Sequence, residues 1–375
     1  RYQIKITVDT FGNGHLAGKV AEDIFTSFIG HAPETKSVQR EDIRGYVPEE
    51  RSLDEILADL DEFVGMDEVK AAVKEIAYTV QNDLHRQQRG IGGDFGQKMG
   101  VHVVLTGNPG SGKTSIARKL GEILAAVGYL DSGHVVEVDR AHLVSQYQGE
   151  TPKLVDKLCD KAMGGIPFVD EAYTLAPVSN GGERDSQGEQ ALEKLMRRME
   201  DDRGKFVVIA AGYRTEMDNL FRINPGFRSR FNYFLNIEDY TPEQLYEILL
   251  TFAKVKKYIM SDDAAEVTRK CIKAMYDSRD KTFANGRNMR QLFEKICRSQ
   301  AERLQKGDIS QMSDQQLMTI LPDDIPYEAP KSADYEECLA KLNGMVGLKA
   351  VKNEIINLVS YLNLQIKRGE NHTFQ

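Results

Sequence analysis

The sequence lacks any long apolar run. No stretch approaches the ~20 residues that a helix needs to cross a bilayer, and no signal-peptide pattern opens the chain. Cysteine is also scarce: the four cysteines form no C-x-x-C pair and have no histidine cluster beside them, so we expect no structural zinc. Unpaired thiols are typical of a reducing compartment. We therefore expect a cytoplasmic protein, with the nucleus also open, and no membrane partner.

An excess of positive charge is missing as well. The formal net charge is −8, whereas non-specific binding to DNA or RNA usually depends on a basic surface. We therefore expect no nucleic-acid partner. What the chain does have is length: 375 residues, 41% of them hydrophobic and 28% charged, fit a globular protein of two or three domains.

Strand and helix signals alternate through the middle of the chain. Helical periodicity fills 112–127, 151–163 and 187–200. The strands are expected at 101–106, 135–138, 166–169, 206–211 and 233–237. Such alternation favours an α/β fold with a parallel sheet covered by helices on both faces. From about residue 241 the strand signals stop, and three helical segments predict a small all-α domain after the core.

A glycine-rich loop follows the first predicted strand and opens a helix. Its pattern, G-x-x-x-x-G-K-[ST], predicts in this context a P-loop for the phosphates of ATP or ADP. The residues expected to bind the nucleotide here are Gly107, Asn108, Pro109, Gly110, Ser111, Gly112, Lys113, Thr114 and Ser115. The glycines let backbone N–H groups turn inward, and the helix N-terminus adds partial positive charge. Lys113 is expected to reach the β- and γ-phosphates, and the Thr114 hydroxyl to bind Mg²⁺. The alternative is a glycine-rich turn without a ligand.

Another predicted strand, IPFV, ends in an acidic pair. Beside a P-loop this pattern predicts a Walker B site, where Asp170 holds Mg²⁺ and Glu171 polarises the attacking water. The alternative is an exposed acidic pair at a strand end. Pro167 lies inside this strand, where its missing N–H costs a ladder bond, so we expect either pairing on one side only or a bulge.

The sequence contains an internal repeat signal. LDEFVGMDEVK at 60–70 is matched by LNGMVGLKAVK at 342–352, and a weaker pair of segments begins at Asn13 and Asn285. We interpret the chain, which starts at Arg1 rather than Met, as the tail of one unit, one whole unit and the head of a third, a window on a tandem array. Chance similarity of amphipathic helices is the alternative. The expected domains are 1–50 (tail of a preceding unit and a linker), 52–237 (large α/β domain), 238–308 (helical lid), 309–337 (linker) and 338–375 (head of a following unit).

Four segments carry a resemblance to a known family. GNPGSGKT, GGIPFVDEAYTL, AAGY and NPGFRSRF together resemble the CbbX and stage V sporulation protein K branch of the AAA+ ATPases, over about residues 58–305. The resemblance implies an ATPase that uses ATP and Mg²⁺, built from a P-loop NTPase αβα core and a small helical lid. It also implies an assembly, either a homo-oligomer such as a hexameric ring or a ring supplied by tandem units, with the nucleotide between neighbours.

The same resemblance implies roles for residues outside the P-loop. The SRF sequence makes Arg230 the arginine finger offered to a neighbouring subunit, with Arg228 as the alternate or a second finger. Asn285-Gly286-Arg287 implies that Arg287 contacts the γ-phosphate from the lid. The alternatives are a pair of surface arginines and an ordinary arginine at a helix start.

Two further segments take their expected roles from the resemblance. Val64, Gly65 and Met66 are expected to contact adenine. Many family members place Asn or Thr after the fourth core strand to position the water, but this chain has Ala211-Gly212-Tyr213 there. Tyr213 or another residue could serve instead.

The loop after 135–138 resembles the central-pore loop of protein-unfolding AAA+ rings. Its aromatic-x-Gly sequence is Tyr147, Gln148 and Gly149, and an exposed aromatic side chain there could grip an extended polypeptide. The polar segment 177–190 is expected to form a second pore loop. A tyrosine packed beneath a surface loop and a disordered surface segment are the alternatives.

Three functions remain open on the sequence. The first is a ring-forming ATPase that threads or remodels a protein client. The second is a scaffold or assembly platform controlled by nucleotide, with little threading. The third is a nucleic-acid motor or loader, which the acidic net charge disfavours.

Overall fold

The computed structural model describes residues 51–91, 100–147, 149–176, 185–280, 283–307 and 311–327, together with 342, 352, 354 and 355. The segment predicted as the tail of a preceding unit and nearly all of the one predicted as the head of a following unit lie outside these residues. The described chain divides into two compact units. One holds the residues up to Ile259 and Ile272–Glu294, and the other holds Met260–Cys271 and the residues from Lys295 onward.

Helices and strands alternate up to residue 237, as the sequence predicts. The helices are α1 (Leu53–Asp61), α2 (Asp67–Gln88), α3 (Lys113–Ala126), α4 (Arg140–Leu143), α5 (Thr151–Lys161), α6 (Ser186–Asp201), α7 (Arg214–Ile223), α8 (Pro225–Arg228), α9 (Pro242–Val255), α10 (Asp262–Asp277), α11 (Asn285–Gln305) and α12 (Asp314–Met318). The strands are β1 (Val103–Gly107), β2 (Val135–Val138), β3 (Ile166–Val169), β4 (Ile209–Gly212), β5 (Tyr233–Ile237), β6 (Ile259–Met260) and β7 (Thr319–Ile320). Short 3₁₀ turns occupy Ala172–Leu175 and Pro322–Asp324. Within the described ranges, none of the helices combines the length and apolar character that crossing a membrane requires.

The first and fourth predicted strands are shifted. β1 and β4 begin two and three residues after their predicted starts at 101 and 206. Val101 and Phe206 are nevertheless buried, at 0% and 1% exposure. Apolar character therefore predicted burial correctly, but it does not fix where the ladder of a parallel sheet begins.

The five long strands form one parallel sheet in the order β2-β3-β4-β1-β5. β1 lies between β4 and β5, with Val103 opposite Ile209 on one side and Tyr233 on the other. Since parallel strands all end at the same edge of a sheet, the segments that follow β1, β3 and β4 meet there. These segments are the P-loop, the acidic pair and the Tyr213 turn.

Helices cover both faces of this sheet, which explains why its strands are continuous apolar runs. α1, α2 and α3 pack on one face, and α5, α6 and α7 pack on the other. Core side chains that are almost fully buried include Leu60, Ile76, Leu105 and Leu120 on the first face and Val155, Leu192, Val208 and Leu220 on the second. Burial of each Leu or Ile stabilises the fold by about 1.5–3 kcal/mol relative to an exposed side chain. These two cores therefore hold in place the edge of the sheet that carries the P-loop and the acidic pair.

Pro167 is accommodated by pairing on one side of β3. Ile166 N–H donates to the His134 carbonyl at 2.7 Å, and Asp170 N–H donates to the Val138 carbonyl at 2.8 Å. These alternate residues face β2, so the missing N–H of Pro167 lies on the β4 side. The β3–β4 register begins only at Phe168. The first of our two expected solutions, pairing on one side without a bulge, is therefore the one adopted.

Residues 311–327, which we expected in a linker, are built into the second unit. Asp324 is fully buried, and its carboxylate accepts hydrogen bonds from Arg303 Nε at 2.7 Å and Nη2 at 2.9 Å. Gln300 Nε2 donates to the Thr319 carbonyl at 3.0 Å. The polar residues and prolines that suggested a linker form helix caps and turns. Ser313 caps α12, and Pro322 begins a 3₁₀ turn. The short strands β6 and β7 also lie after residue 241, where we expected helices alone.

Candidate nucleotide-binding site

The P-loop connects β1 to the N-terminus of α3, the context that the sequence pattern requires. Gly110 and Gly112 have φ values of +68° and +101°, in the left-handed region that glycine adopts readily. A Cβ on Gly112 would lie 2.7 Å from Met66 Cε, and one on Gly110 would overlap the Ala284 carbonyl oxygen. The loop thus forms a close-walled cradle at a helix N-terminus, which fits a phosphate chain.

Lys113 folds back over this cradle. Its ammonium donates to the carbonyls of Gly107 at 2.8 Å and Asn108 at 3.1 Å. Burial lowers the pKa of Lys113 most, and the nearby positive charge of Arg287 lowers it further, whereas the carboxylates of Asp170 and Glu171 act in the opposite direction. Asp170, Glu171 and Arg287 are therefore close enough to Lys113 for their charges to act on its ammonium.

The acidic pair lies at the end of β3, as predicted. Glu171 has a left-handed backbone with φ +51°, and its N–H donates to Asp170 Oδ1 at 3.0 Å. Burial and the charge of Asp170 raise the pKa of Glu171, and Lys113 opposes the shift. A carboxylate and the half-buried hydroxyl of Thr114 are the hard oxygen donors that Mg²⁺ prefers, so the residues present fit that ion.

Tyr213 follows β4 and lies beside these charges. Its ring centroid is 5.8 Å from Lys113 Nζ and 5.8 Å from the ring of Tyr173. Burial raises the pKa of Tyr213, and the carboxylates of Glu171 and Asp170 raise it further, so its hydroxyl remains protonated at neutral pH. The sequence left the water-positioning residue open, and the structure brings Tyr213 to the edge where such a residue would be needed.

The start of α11 contacts the P-loop directly. Gly286 N–H donates to the Gly110 carbonyl at 3.1 Å. Arg287 is exposed, and its charge is among the causes that act on the pKa of Lys113 and of Tyr213. The structure therefore brings Arg287 toward the predicted phosphate site.

Three residues that our sequence analysis did not assign to the site join the P-loop to this helix. The carboxylate of Asp239 accepts from Asn108 Nδ2 at 2.9 Å and from Asn285 Nδ2 at 2.7 Å. Tyr240 Oη donates to the Ser111 carbonyl at 2.9 Å. Asn285 is fully buried and also accepts from the Tyr240 N–H at 3.3 Å. No spacing rule reveals these contacts, because each of them joins residues at least 45 positions apart in the chain.

The segment predicted to contact adenine lies at the same end of the molecule. Gly65 and Met66 both have left-handed backbones, with φ +62° and +57°. A Cβ on Gly65 would lie 2.7 Å from Gln244 Nε2. The turn is therefore enclosed between α9 and the P-loop, where Val64 is half-buried.

The two arginines predicted as fingers, Arg230 and Arg228, make different contacts. Arg230 Nε donates to the Met196 carbonyl at 3.2 Å, and its Nη1 donates to the Gly226 carbonyl at 2.8 Å. Arg228 is exposed, with its guanidinium carbon 5.0 Å from the Phe234 ring centroid. In the part of the chain that the structure describes, neither guanidinium bonds to the P-loop of its own subunit. Their role as arginine fingers in the nucleotide site of a neighbouring subunit stays a prediction.

The predicted pore loop exposes its aromatic side chain. Tyr147 is 73% exposed, and its N–H donates to Ser145 Oγ at 3.1 Å. Gly149 has φ +78°, and a Cβ there would meet open space. This exposure disfavours our alternative of a tyrosine packed beneath the loop. Gln148 and residues 177–184 of the predicted second pore loop lie outside the described residues.

Two family models match the chain. The model of the ATPase family associated with various cellular activities (AAA) matches residues 103–239, and the AAA lid domain matches residues 241–335. The predicted fold class, a P-loop core with a parallel sheet followed by a lid, is confirmed by these matches together with the sheet described above.

Three relatives show similarity over most of their length. Stage V sporulation protein K of Bacillus subtilis is 37% identical over 281 residues, which cover 75% of this chain and 84% of that protein. The chloroplastic ribulose bisphosphate carboxylase/oxygenase activase of Cyanidioschyzon merolae is 37% identical over 274 residues, which cover 73% of this chain and 91% of that protein. Protein CbbX of Cereibacter sphaeroides is 36% identical over 272 residues, which cover 72% of this chain and 85% of that protein.

Proposed function

Since this chain belongs to the AAA ATPase family, in the branch of stage V sporulation protein K and CbbX, and is an ATPase, we propose that it is a ring-forming motor unit that remodels protein clients. In this proposal the client is an extended polypeptide drawn past Tyr147. The units of the ring come from several copies of the chain or from tandem units.

The proposed chemistry starts at the cradle. The inward N–H groups of the P-loop and the ammonium of Lys113 bind the β- and γ-phosphates. Thr114 and Asp170 would hold Mg²⁺, which would supply positive charge beside the phosphates. Glu171 orients and polarises the attacking water as a general base. Its pKa is raised toward neutrality, which suits that task better than the ordinary value of 4.5.

Two cations complete the proposed transition-state clamp. Arg287 supplies one from the lid of the same subunit, and Arg230, with Arg228 as alternate, supplies the other to the neighbour. Such fingers change hydrolysis rates by about 10³–10⁵-fold in related phosphoryl-transfer enzymes, because they act on charge that appears only in the transition state. A unit without its neighbour is therefore expected to bind nucleotide well and hydrolyse it slowly.

The observation that carries the threading proposal is the exposure of Tyr147. A side chain that is 73% exposed on a short hydrogen-bonded turn leaves its apolar ring without cover from the described chain. An aromatic ring of this kind can hold polypeptide of varied sequence through its apolar body and its hydroxyl. Ser145 and Gln146 of the same loop line a cavity together with Glu171, which connects the loop to the proposed site of hydrolysis.

The test compares two exposed tyrosines. The probe is reduced, carboxymethylated lactalbumin, an unfolded polypeptide, and the readout is the rate of ATP hydrolysis with and without it. We expect the probe to stimulate hydrolysis, and Tyr147→Ala to abolish that stimulation. Tyr78→Ala, which changes a tyrosine that is 48% exposed on α2, is the matched control and should retain it. Equal stimulation of both variants would refute the threading role and favour the scaffold alternative.

A further inference from the structure

A cavity of about 500 Å³ lies between the loop that carries Tyr147 and Glu171. Ser145 and Gln146 of the loop line it, as do Glu171, Thr174 and Arg140. This space separates the loop from the Glu171 carboxylate, and polar contacts around the cavity join the two. Arg140, the first residue of α4, makes contacts in both directions.

Toward the acidic pair, Arg140 holds the turn that fixes Glu171. Its Nη1 donates to the Thr174 carbonyl at 2.7 Å. Thr174 in turn donates to the Glu171 carbonyl twice, from its N–H at 2.8 Å and from its hydroxyl at 2.7 Å. Glu171 has a left-handed backbone, which a residue other than glycine keeps only when its surroundings hold it there. A shift of the 3₁₀ turn would therefore move the carboxylate.

In the other direction, Arg140 holds the start of α6. It forms an ion pair with Asp185 at 2.5 Å, and Asp185 Oδ1 accepts from the Gly188 N–H at 3.0 Å. Burial raises the pKa of Asp185, but the hydrogen bonds from Arg140 and from the backbone outweigh it and leave the pKa below its usual value. The ion pair is thus a partly enclosed contact at the head of the helix that follows residues 177–184.

The first turn of α6 contacts the Tyr147 loop. Thr151 Oγ1 donates to Gln187 Oε1 at 2.8 Å and accepts from the Ser145 N–H at 3.1 Å. Ser145 Oγ then accepts from the Tyr147 N–H at 3.1 Å. A continuous chain of polar contacts therefore runs from Tyr147 through α6 and Arg140 to the backbone of Glu171.

We propose that Arg140 is a positioning residue that couples the Tyr147 loop to Glu171, so that the nucleotide state sets the loop and the loop sets the hydrolytic carboxylate. This inference rests on the proposed roles of Glu171 in hydrolysis and of Tyr147 in client binding. Both contacts come from one nitrogen, Nη1, whose two N–H groups reach the Thr174 carbonyl and the Asp185 carboxylate together. The coupling is reciprocal, since two sites linked by one equilibrium must influence each other equally.

The loop can be observed without any client. The chain contains no tryptophan, so Tyr147→Trp introduces a single indole on the exposed loop. Quenching of its fluorescence by acrylamide is measured with Mg²⁺ and a slowly hydrolysed ATP analogue, and again with Mg²⁺ and ADP. We expect the quenching constants of the two states to differ by about twofold, because nucleotide shifts the loop between two populations. Arg140→Gln in the same background should abolish the difference while nucleotide affinity stays the same.

Two comparisons separate coupling from general damage. Arg140→Lys keeps a positive charge beside Asp185 but places it on a shorter, differently shaped side chain, so it should retain part of the difference. Arg118→Gln removes an ion pair to Glu137, 2.6 Å long, that lies off the path and should leave the difference intact. In single-turnover hydrolysis, Arg140→Gln should be about tenfold slower, since displacement of a catalytic group acts on the chemical step. If Arg140→Gln does not fold, Asp185→Asn removes the charge of the ion pair alone, and it should reduce the difference.

Two results would overturn the coupling. One is a nucleotide-dependent difference that persists in Arg140→Gln, and the other is no difference in the Tyr147→Trp parent. Failure of the threading role looks different: hydrolysis would not respond to the unfolded polypeptide, although the indole still reported the nucleotide state.

Discussion

Glu171→Gln separates the binding of ATP from its hydrolysis. The substitution keeps the size of the side chain and removes the basic oxygen, so the water loses its general base while the P-loop and its ammonium are unchanged. General base catalysis typically accounts for about 10²–10⁴-fold in rate, or roughly 3–5 kcal/mol of transition-state stabilisation. We expect a loss in that range in single-turnover hydrolysis with protein in excess over labelled ATP. ATP affinity, measured by titration calorimetry, should stay within about threefold.

Although Glu171→Gln should slow hydrolysis, it should raise the stability of the fold at neutral pH. Burial and the charge of Asp170 raise the pKa of Glu171 above 4.5, so the folded chain holds this proton at a higher pH than the unfolded chain does. The contribution to stability is therefore present below pH 4.5 and is lost as the pH rises through the raised pKa. At neutral pH the ionised carboxylate is a net cost, which glutamine does not carry. Glu171→Gln should thus have a higher Tm than the parent at pH 7, and the gap should close toward pH 4.

Glu216→Gln provides the control. Glu216 is exposed, and its charge is among the causes that raise the pKa of Glu171, so this variant alters the field at the site without touching the water. Its hydrolysis rate should remain within about twofold, because a screened surface charge contributes little. Hydrolysis by Glu171→Gln at the parent rate would refute the catalytic role of Glu171. A Tm below that of the parent at pH 7 would refute the electrostatic account.

Two further predictions concern the P-loop and the core. Gly110→Ala and Gly128→Ala place a Cβ at similar left-handed φ values, +68° and +79°, but only the first would overlap the Ala284 carbonyl oxygen. In urea denaturation, Gly128→Ala should lower the free energy of unfolding by about 1 kcal/mol, and Gly110→Ala by at least about twice that. Gly110→Ala should also weaken ATP binding more than tenfold. Equal effects of the two substitutions would contradict the close contact between the P-loop and Ala284. Burial, with a smaller effect from Arg203, lowers the pKa of His102 from 6.5 to about 4, so stability should fall by about 3 kcal/mol as the pH drops from 6.5 through 4. Urea denaturation at stepped pH checks this, and His102→Gln should flatten the profile.

The sequence predicted the parallel sheet and the P-loop because both depend on local patterns. Apolar runs such as IPFV mark a strand buried on both faces, and the glycine spacing of the P-loop follows from what a phosphate cradle demands. Composition misled at 311–327, where polar and proline residues suggested a linker. There Asp324 is buried because Arg303 satisfies its charge, a long-range pairing that composition does not reveal.

The connections around the site were not predictable from the sequence. Asn285 bonds to Asp239, 46 positions away, and Arg140 to Thr174, 34 positions away. No period or motif links such residues, because the fold alone brings them together. No sequence pattern indicates the left-handed backbone of Glu171 either, because acidic residues at strand ends usually have ordinary backbone angles.

Titration calorimetry with ATP and Mg²⁺ on the parent chain and on Lys113→Ala tests the central claim most directly. We expect Lys113→Ala to weaken ATP binding by at least about tenfold, since a half-buried ammonium that reaches the phosphates contributes more than a surface charge. AMP, which lacks the β- and γ-phosphates, should bind both chains alike. An unchanged ATP affinity in Lys113→Ala would contradict the claim that this loop binds the triphosphate.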